Sequence, residues 1–269
     1  MENQGEKGRL AVRQGRQGVT KAFAPGGYRF IPGVFQYSGG VAAEPGLRIE
    51  RVTFGTPIPL ARGFERAAAI IKARGRPLTA FCACELRSPA QFTDAGFRSF
   101  NETYVHTLSH WGIYDPASKV NPVARSNVCP EIGPPTEPCF HAFSFTVPAN
   151  SKMPTFVVAG SGEAREGGAS YRERTVRWGE TSADAMREKA VYVLTEMERR
   201  LQLLGVGWAQ TTATQAYTVH DLHPFLADEI VRRGAARAGL TWHFCRPPVQ
   251  GLEYEMDCRG VAVEHADGR

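Results

Sequence analysis

"SADAMREKAVYVLTEMERRLQLLG", residues 182–205, has the pattern on which the whole architecture turns. Ala183, Met186, Ala190, Val193, Leu194, Met197, Leu201 and Leu204 recur at spacings of three and four, which sets one apolar stripe along a helix. Ser182 offers a side-chain oxygen to the first free backbone N–H groups, and Gly205 can close the last turn. Ahead of the helix, "TFVVAG" is a continuous apolar strand ending in glycine; behind it, "TTATQAYTV" is β-branched with period-two character. "PFLADEIVRRGAARAG" then predicts a second helix, with Phe225, Leu226, Ile230 and Val231 on one side. "TWHFCR" and "LEYEMDCRGVAVE" predict two further strands, parted by Pro247-Pro248. The order β-α-β-α-β-β implies a mixed sheet with helices packed on one face, an α+β arrangement.

The first half repeats that order. "RIERVTFGTPIPL" is a strand, "GFERAAAIIKARG" a helix, "LTAFCACEL" a strand and "FRSFNETYVHTLSHWG" a helix. "PVARSNVCPEI" and "CFHAFSFTV" complete the set, and "VPANSKMP" reads as the joint between two copies. The expected division is a basic, Gly/Gln-rich arm over residues 1–25, a first unit over 26–148 and a second over 154–269.

Composition narrows the function classes. At 42% hydrophobic and 22% charged the chain can bury a core, and no apolar run nears the roughly 20 residues that span a bilayer. The first residues lack the apolar segment of a secretory signal, so a cytoplasmic protein with reduced thiols is expected. The six cysteines form no CxxC pair, which leaves a zinc ribbon without support. A net charge of +5 suits an anionic ligand. Nucleic acid is not the expected partner, because no basic-aromatic motif and no helix with Lys/Arg along one face is present.

Within "NPVARSNVCPEI", residues 121–132, Arg125 stands in a stretch of small and apolar residues just after Pro122. A guanidinium on a half-buried strand needs a partner, either a ligand carboxylate or an ion pair within the sheet. Glu255 could act as a general acid/base, or belong with Glu253 and Asp257 to a solvated strand face. Cys139 and His141 share a strand face and suggest cleft-lining or packing residues more readily than a nucleophile pair. Cys129 follows Arg125 at a spacing that keeps both on one face. His220 and His223 suit a helix start better than a metal site. "SGEAREGG" lacks the phosphate-loop lysine and is expected as a loop, with "YRERTVRW" after it as a basic flap over an anionic ligand.

These segments resemble a known family. "FVVAGS", the long helix, "AYTVHDLHPF" and "LEYEMDCRGVAV" are similar, in order, to the RidA family of enamine/imine deaminases, and "FQYSGGV", "FGTPIPL", "SFNETYV" and "PVARSNV" repeat the likeness in the first half. The resemblance implies two fused RidA-like (chorismate mutase-like) units and hydrolytic deamination of a small imino or enamino carboxylate. No cofactor and no metal is implied. It assigns Arg125 to the carboxylate, Glu255 to water activation and Tyr37 to the cleft; Cys129, Cys139 and His141 join them as substrate-contact candidates through their strand positions alone. Where the second copy should repeat Arg125 it has Leu240-Thr241, and where the first should repeat Glu255 it has Cys139. Family clefts lie between the subunits of a trimer, so a homotrimer is implied as well. A chorismatase-like enol-ether hydrolase and a non-catalytic ligand-binding scaffold are the two alternatives.

Overall fold

A computed structural model of the chain describes residues 19–150, 153–165, 167 and 170–268. The first half runs β1 (Lys21–Phe23), β2 (Tyr28–Ile31), β3 (Gly40–Ala43), β4 (Leu47–Pro59), α1 (Leu60–Ala73), β5 (Phe81–Arg87), α2 (Asp94–His110), β6 (Ala124–Pro130) and β7 (Cys139–Pro148). The second runs β8 (Phe156–Gly162), α3 (Tyr171–Arg174), α4 (Ala183–Leu203), β9 (Ala213–Tyr217), α5 (His223–Phe225), β10 (Leu240–His243), β11 (Cys245–Arg246), β12 (Glu255–Gly260) and β13 (Val263–Asp267). Helix starts follow the capping signals: Ala185 N–H donates to Ser182 Oγ at 3.3 Å, and Gly96 N–H to Thr93 Oγ1 at 3.1 Å.

The strands form two mixed sheets, ordered β11-β6-β5-β7-β4-β13 and β1-β2-β3-β8-β12-β9-β10. Each contains the same four-strand core. β6-β5-β7-β4 matches β10-β9-β12-β8, with the first pair parallel and the other two antiparallel in both. The outer strands cross between halves. β1 to β3 extend the second sheet alongside β8, whereas β11 and β13 close both edges of the first. β13 is fastened by charge as well as by pairing: Arg51 Nη1 meets Glu264 Oε2 at 2.9 Å, and Arg66 meets Asp267 in a two-pronged pair at 2.7 Å. Residues 1–18 of the expected arm lie outside the described residues, while Lys21–Phe23 of its last stretch is strand β1.

Helices cover the outer faces. The stripe of α4 (Met186, Ala190, Val193, Leu194, Met197, Leu201) is buried against Phe156, Val158 and Met256. At roughly 1.5–3 kcal/mol for each large side chain, this burial and not helix propensity holds α4 in place. A charge at Val193, which has no exposure, would break it. α1 and α2 cover the first sheet through Phe64, Ile71, Tyr104 and Leu108. The inner faces pack on each other, with Tyr28, Phe30, Val41, Ile49, Ala124 and Ala159 between them. The inner face of each sheet is thus covered within one chain.

The second helix expected over residues 224–239 is absent as a regular helix. Only His223–Phe225 is α-helical, followed by a π-helical turn over Leu226–Val231. Gly234 at φ +90° and Gly239 at φ +92° take left-handed conformations that no continuing helix can contain. Its counterpart α2 is intact over 17 residues, and the site depends on that difference.

Candidate active site

Arg125 is carried by β6, where alternation sends Arg125 and Asn127 to the α2 side and Ser126 towards the second sheet. Four rings surround its guanidinium: Tyr104 at 4.7 Å, Tyr37 at 5.2 Å, Phe100 at 5.6 Å and Phe97 at 5.7 Å from Cζ to ring centroid. Three of these come from α2, which presents one face at spacings of three and four. Tyr37 comes from the loop between β2 and β3. That loop is stitched to the start of β6 by the Asn121 amide, donating to the carbonyls of Phe35 and Gln36, and by Ser38 N–H, donating to Val123 O at 2.8 Å.

Arg125 is only 2% exposed, yet its Nε, Nη1 and Nη2 have no hydrogen-bond partner. Ring faces offset part of the cost of burying the charge, at about 0.5–2 kcal/mol for each good cation–π contact. They leave the forked N–H donors unused, and unmade bonds to a buried charge are expensive. A planar anion such as a carboxylate would match that fork in two-pronged geometry. Among the described residues Arg125 forms no ion pair within the sheet.

Glu255 begins β12 on the opposite sheet and enters the same cleft from the other side of the sheet junction. Gly160 makes room for it. A Cβ there would lie 2.1 Å from Glu255 Oε1 and 3.2 Å from Ser126 Cα, so only glycine lets β8 pass between the carboxyl and β6. Burial drives the Glu255 pKa well above the ordinary carboxylate range; Asp257 adds to the rise and Arg125 opposes it. The group is therefore held towards its protonated acid form. At 4% exposure each, Glu255 and Asp257 are not on a solvated face. Asp257 points between the sheets, accepting from Ser126 Oγ at 2.5 Å, Gln215 Nε2 at 2.8 Å and Tyr217 Oη at 2.9 Å. Burial also pushes the Tyr37 phenol up to about 12, so it enters the cleft as an O–H group.

Tyr37, Arg125 and Glu255 thus line one cleft, although they come from three separate parts of the chain. Cys129, Cys139 and His141 do not line it. Cys129 lies beyond Asn127, opposite Arg246 of β11, and faces a separate surface hollow; burial pushes its thiol up to about 12. Cys139 and His141 are on β7, and β5 intervenes between β7 and β6, a shift of about 10 Å at the usual strand spacing. The Cys139 thiol donates to Glu137 O at 3.1 Å, and His141 is kept neutral, its pKa lowered to about 4 by burial and by Arg87. None of these three residues lines the Arg125–Glu255 cleft.

Other residues complete the cleft. Asn127 was signalled only by its place two after Arg125; its Oδ1 accepts from Ser88 Oγ at 2.9 Å, and its Nδ2 has no partner. Arg200 of α4 donates to Ala159 O at 3.2 Å and pairs with Glu196 at 2.7 Å, in keeping with a role in fixing the β8 end. Tyr171 and Arg174 come from the basic segment expected as a flap, and both line the cleft. Among the described residues no cluster of His, Cys, Asp and Glu could hold a metal ion, and no helix is long and apolar enough to cross a membrane.

The family described as 2-aminomuconate deaminase CnbZ matches residues 20–265. A 2-amino-5-chloromuconate deaminase of Comamonas testosteroni is 54% identical over 244 residues, covering 90% of this chain and 96% of that protein. Among solved structures, a chorismatase is 13% identical with a TM-score of 0.46, covering 86% of this chain and 79% of that one. The yjgF gene product of E. coli is 12% identical with a TM-score of 0.29, covering 40% of this chain and 80% of that one.

Proposed function

The chain belongs to the 2-aminomuconate deaminase family, and from that premise we propose that the Arg125–Glu255 cleft hydrolyses the enamine of a 2-aminomuconate-type substrate, a six-carbon unsaturated dicarboxylate. The observation that carries this reading is the buried Arg125 guanidinium with every donor nitrogen unpaired. A carboxylate ligand fits this charge in two-pronged geometry, and the acid Glu255 in the same cleft supplies what turnover needs beyond binding.

The chemistry needs one proton carrier and one water. With the carboxylate next to the reacting carbon held by Arg125, the Glu255 acid protonates a carbon of the conjugated chain. The nitrogen lone pair moves in to form C=N, and the carbon–carbon double bond is consumed. Water then adds to the imine carbon while the Glu255 carboxylate takes its proton, which gives a carbinolamine and restores the acid. The C–N bond breaks, ammonia leaves with the hydroxyl proton, and a 2-oxo acid remains. Enamine plus water thus becomes ketone plus ammonia, with no electron acceptor involved. Neutralising Arg125 with a carboxylate removes an influence that lowers the Glu255 pKa, so binding itself favours the acid that starts the sequence.

All three of the sequence-assigned cleft residues come from one chain, so this reading does not depend on the homotrimer or on the cytoplasmic location expected from the sequence. The test is ammonia release from 2-aminomuconate by the purified protein and by Glu255→Gln. Turnover should fall about 10²- to 10⁴-fold in the variant, while affinity for unreactive muconate stays within about threefold. Wild-type protein that binds muconate but releases no ammonia would sink the deaminase reading in favour of a scaffold. Ammonia release unchanged in Glu255→Gln would remove Glu255 from the mechanism.

A further inference from the structure

Arg125 is not the only guanidinium in the cleft without an anion. Arg174 ends the short helix α3 and lines the same space. Its Cζ lies 3.9 Å from the centre of the Tyr171 ring, a stacked geometry that leaves the edge of the guanidinium for hydrogen bonding. Nη1 donates to Arg165 O at 3.0 Å, but the buried Nε has no partner.

The flap that carries Arg174 has a rigid base. Val176 N–H donates to Glu163 O at 2.9 Å, and Arg165 N–H to Arg174 O at 3.0 Å. Beneath them, Lys189 reaches Glu163 Oε1 at 3.2 Å and Val176 O at 2.7 Å, with Lys189 and Glu163 both wholly buried. Glu163 also accepts from the backbone N–H groups of Glu253 and Tyr254 at 2.7 and 3.2 Å, which ties the flap to the strand segment that carries Glu255. Breaking a buried, hydrogen-bonded ion pair of this kind is strongly unfavourable, so Arg174 is presented in a fixed place.

A count of charges points to the ligand. Arg200, the third guanidinium of the cleft, is matched by Glu196. Among the described residues neither Arg125 nor Arg174 has an ion-pair partner, and the cleft's acid, Glu255, is held towards neutrality. Two unmatched cations lining one cleft ask for two anionic groups on one ligand. Gly160 alone separates Glu255 Oε1 from Ser126, the neighbour of Arg125 on β6, so the reacting end belongs beside Arg125.

We propose that Arg174 takes the carboxylate remote from the reacting carbon, so that the flap selects a dianionic chain over one with a single carboxylate. This rests on the deaminase reading of the cleft. The probes are muconate and sorbate, which share a six-carbon diene and differ in having two carboxylates or one. Calorimetry on wild type should show muconate bound at least about 30-fold tighter. Arg174→Gln should shrink that preference to about threefold or less while leaving sorbate affinity within about twofold, and Arg174→Lys should retain an intermediate preference. Equal losses for both ligands, a preference that survives Arg174→Gln, or no preference in wild type would each overturn the assignment. Arg174→Lys keeps the test valid if the Gln variant fails to fold. Because neither probe reacts, selective binding without ammonia release would separate a failure of the deaminase reading from a failure of this one.

Discussion

The two four-strand cores share order and direction, yet they meet the cleft with different equipment. At the second position of the parallel pairing, β6 has Arg125 opposite Cys84, and β10 has Thr241 opposite Gln215. Outside β6 lies the 17-residue α2 with Phe97, Phe100 and Tyr104; outside β10 the chain has one helical turn and a π-turn. The reverse holds for the acid. β12 opens with buried Glu255, whereas the matching end of β7 has Cys139 and Phe140. On the proposed reading one half holds the anion and the other moves the proton, and the corresponding positions of the two cores, Thr241 and Cys139, have neither group.

The most severe break of this division is Arg125→Met. Carboxylate affinity should fall at least about 100-fold, the scale of a lost two-pronged charge-assisted contact. In the ligand-free protein the same change should raise stability by about 1 kcal/mol, because it replaces an unpaired buried charge with an apolar chain among four rings. Chemical denaturation and calorimetry on one variant decide the point. A drop in both stability and affinity would show that the guanidinium has a structural partner after all.

A smaller effect is expected from pH. The folded-state pKa of Glu255 is raised, so its contribution to stability is complete below the ordinary glutamate pKa and is lost as pH rises through the folded value. Glu255→Gln has no such loss. Its stability relative to wild type should therefore increase as pH climbs from about 4.5, by at most about 1.4 kcal/mol per pH unit within that window. Parallel stability-versus-pH curves for the two proteins would mean that Glu255 is ionised in the fold.

Least should happen on the half without the cation. Thr241→Arg restores the residue type but not the aromatic box, so titration with muconate should still give one site per chain. His141→Ala, on β7, should leave kcat/KM within about twofold. A second binding equivalent, or a tenfold loss from His141→Ala, would show that the other end of the sheets is also a working site.

Much of the fold was legible because it is local. The period of α4, the strands flanking it and the repetition in the first half follow from burial patterns within windows of a dozen residues. What escaped was long-range. "TWHFCR" reads as one strand, but the chain leaves the second sheet at Phe244 and joins the first at Cys245. "LEYEMDCRGVAVE" divides in the same way after Gly260. Neither change has a proline or a turn pair to mark it. In the site, Arg125, Glu255 and Tyr37 were visible as residue types in family-like segments, but their convergence depends on which sheets touch. Period-two reasoning put Cys139 and His141 on a common face without indicating that β5 would separate that strand from β6. Asn127 had no signal beyond its spacing, and the segment of α2 read only as a helix.

Strand exchange between the halves has a consequence for synthesis on the ribosome. When residue 148 emerges, the first sheet already has its four central strands, but both outer edges are bare: β11 and β13 come more than a hundred residues after the strands that they cover. β1 to β3 meanwhile wait for β8. At roughly 5–20 residues per second, that leaves on the order of ten seconds in which an incomplete sheet exposes unpaired backbone. Nascent chains should therefore be protease-sensitive up to residue 262 and gain protection late, when residues 263–267 arrive to pair with β4. A protein assembled this way matures all at once, and its first half cannot be harvested as an independent domain by stopping translation at the joint.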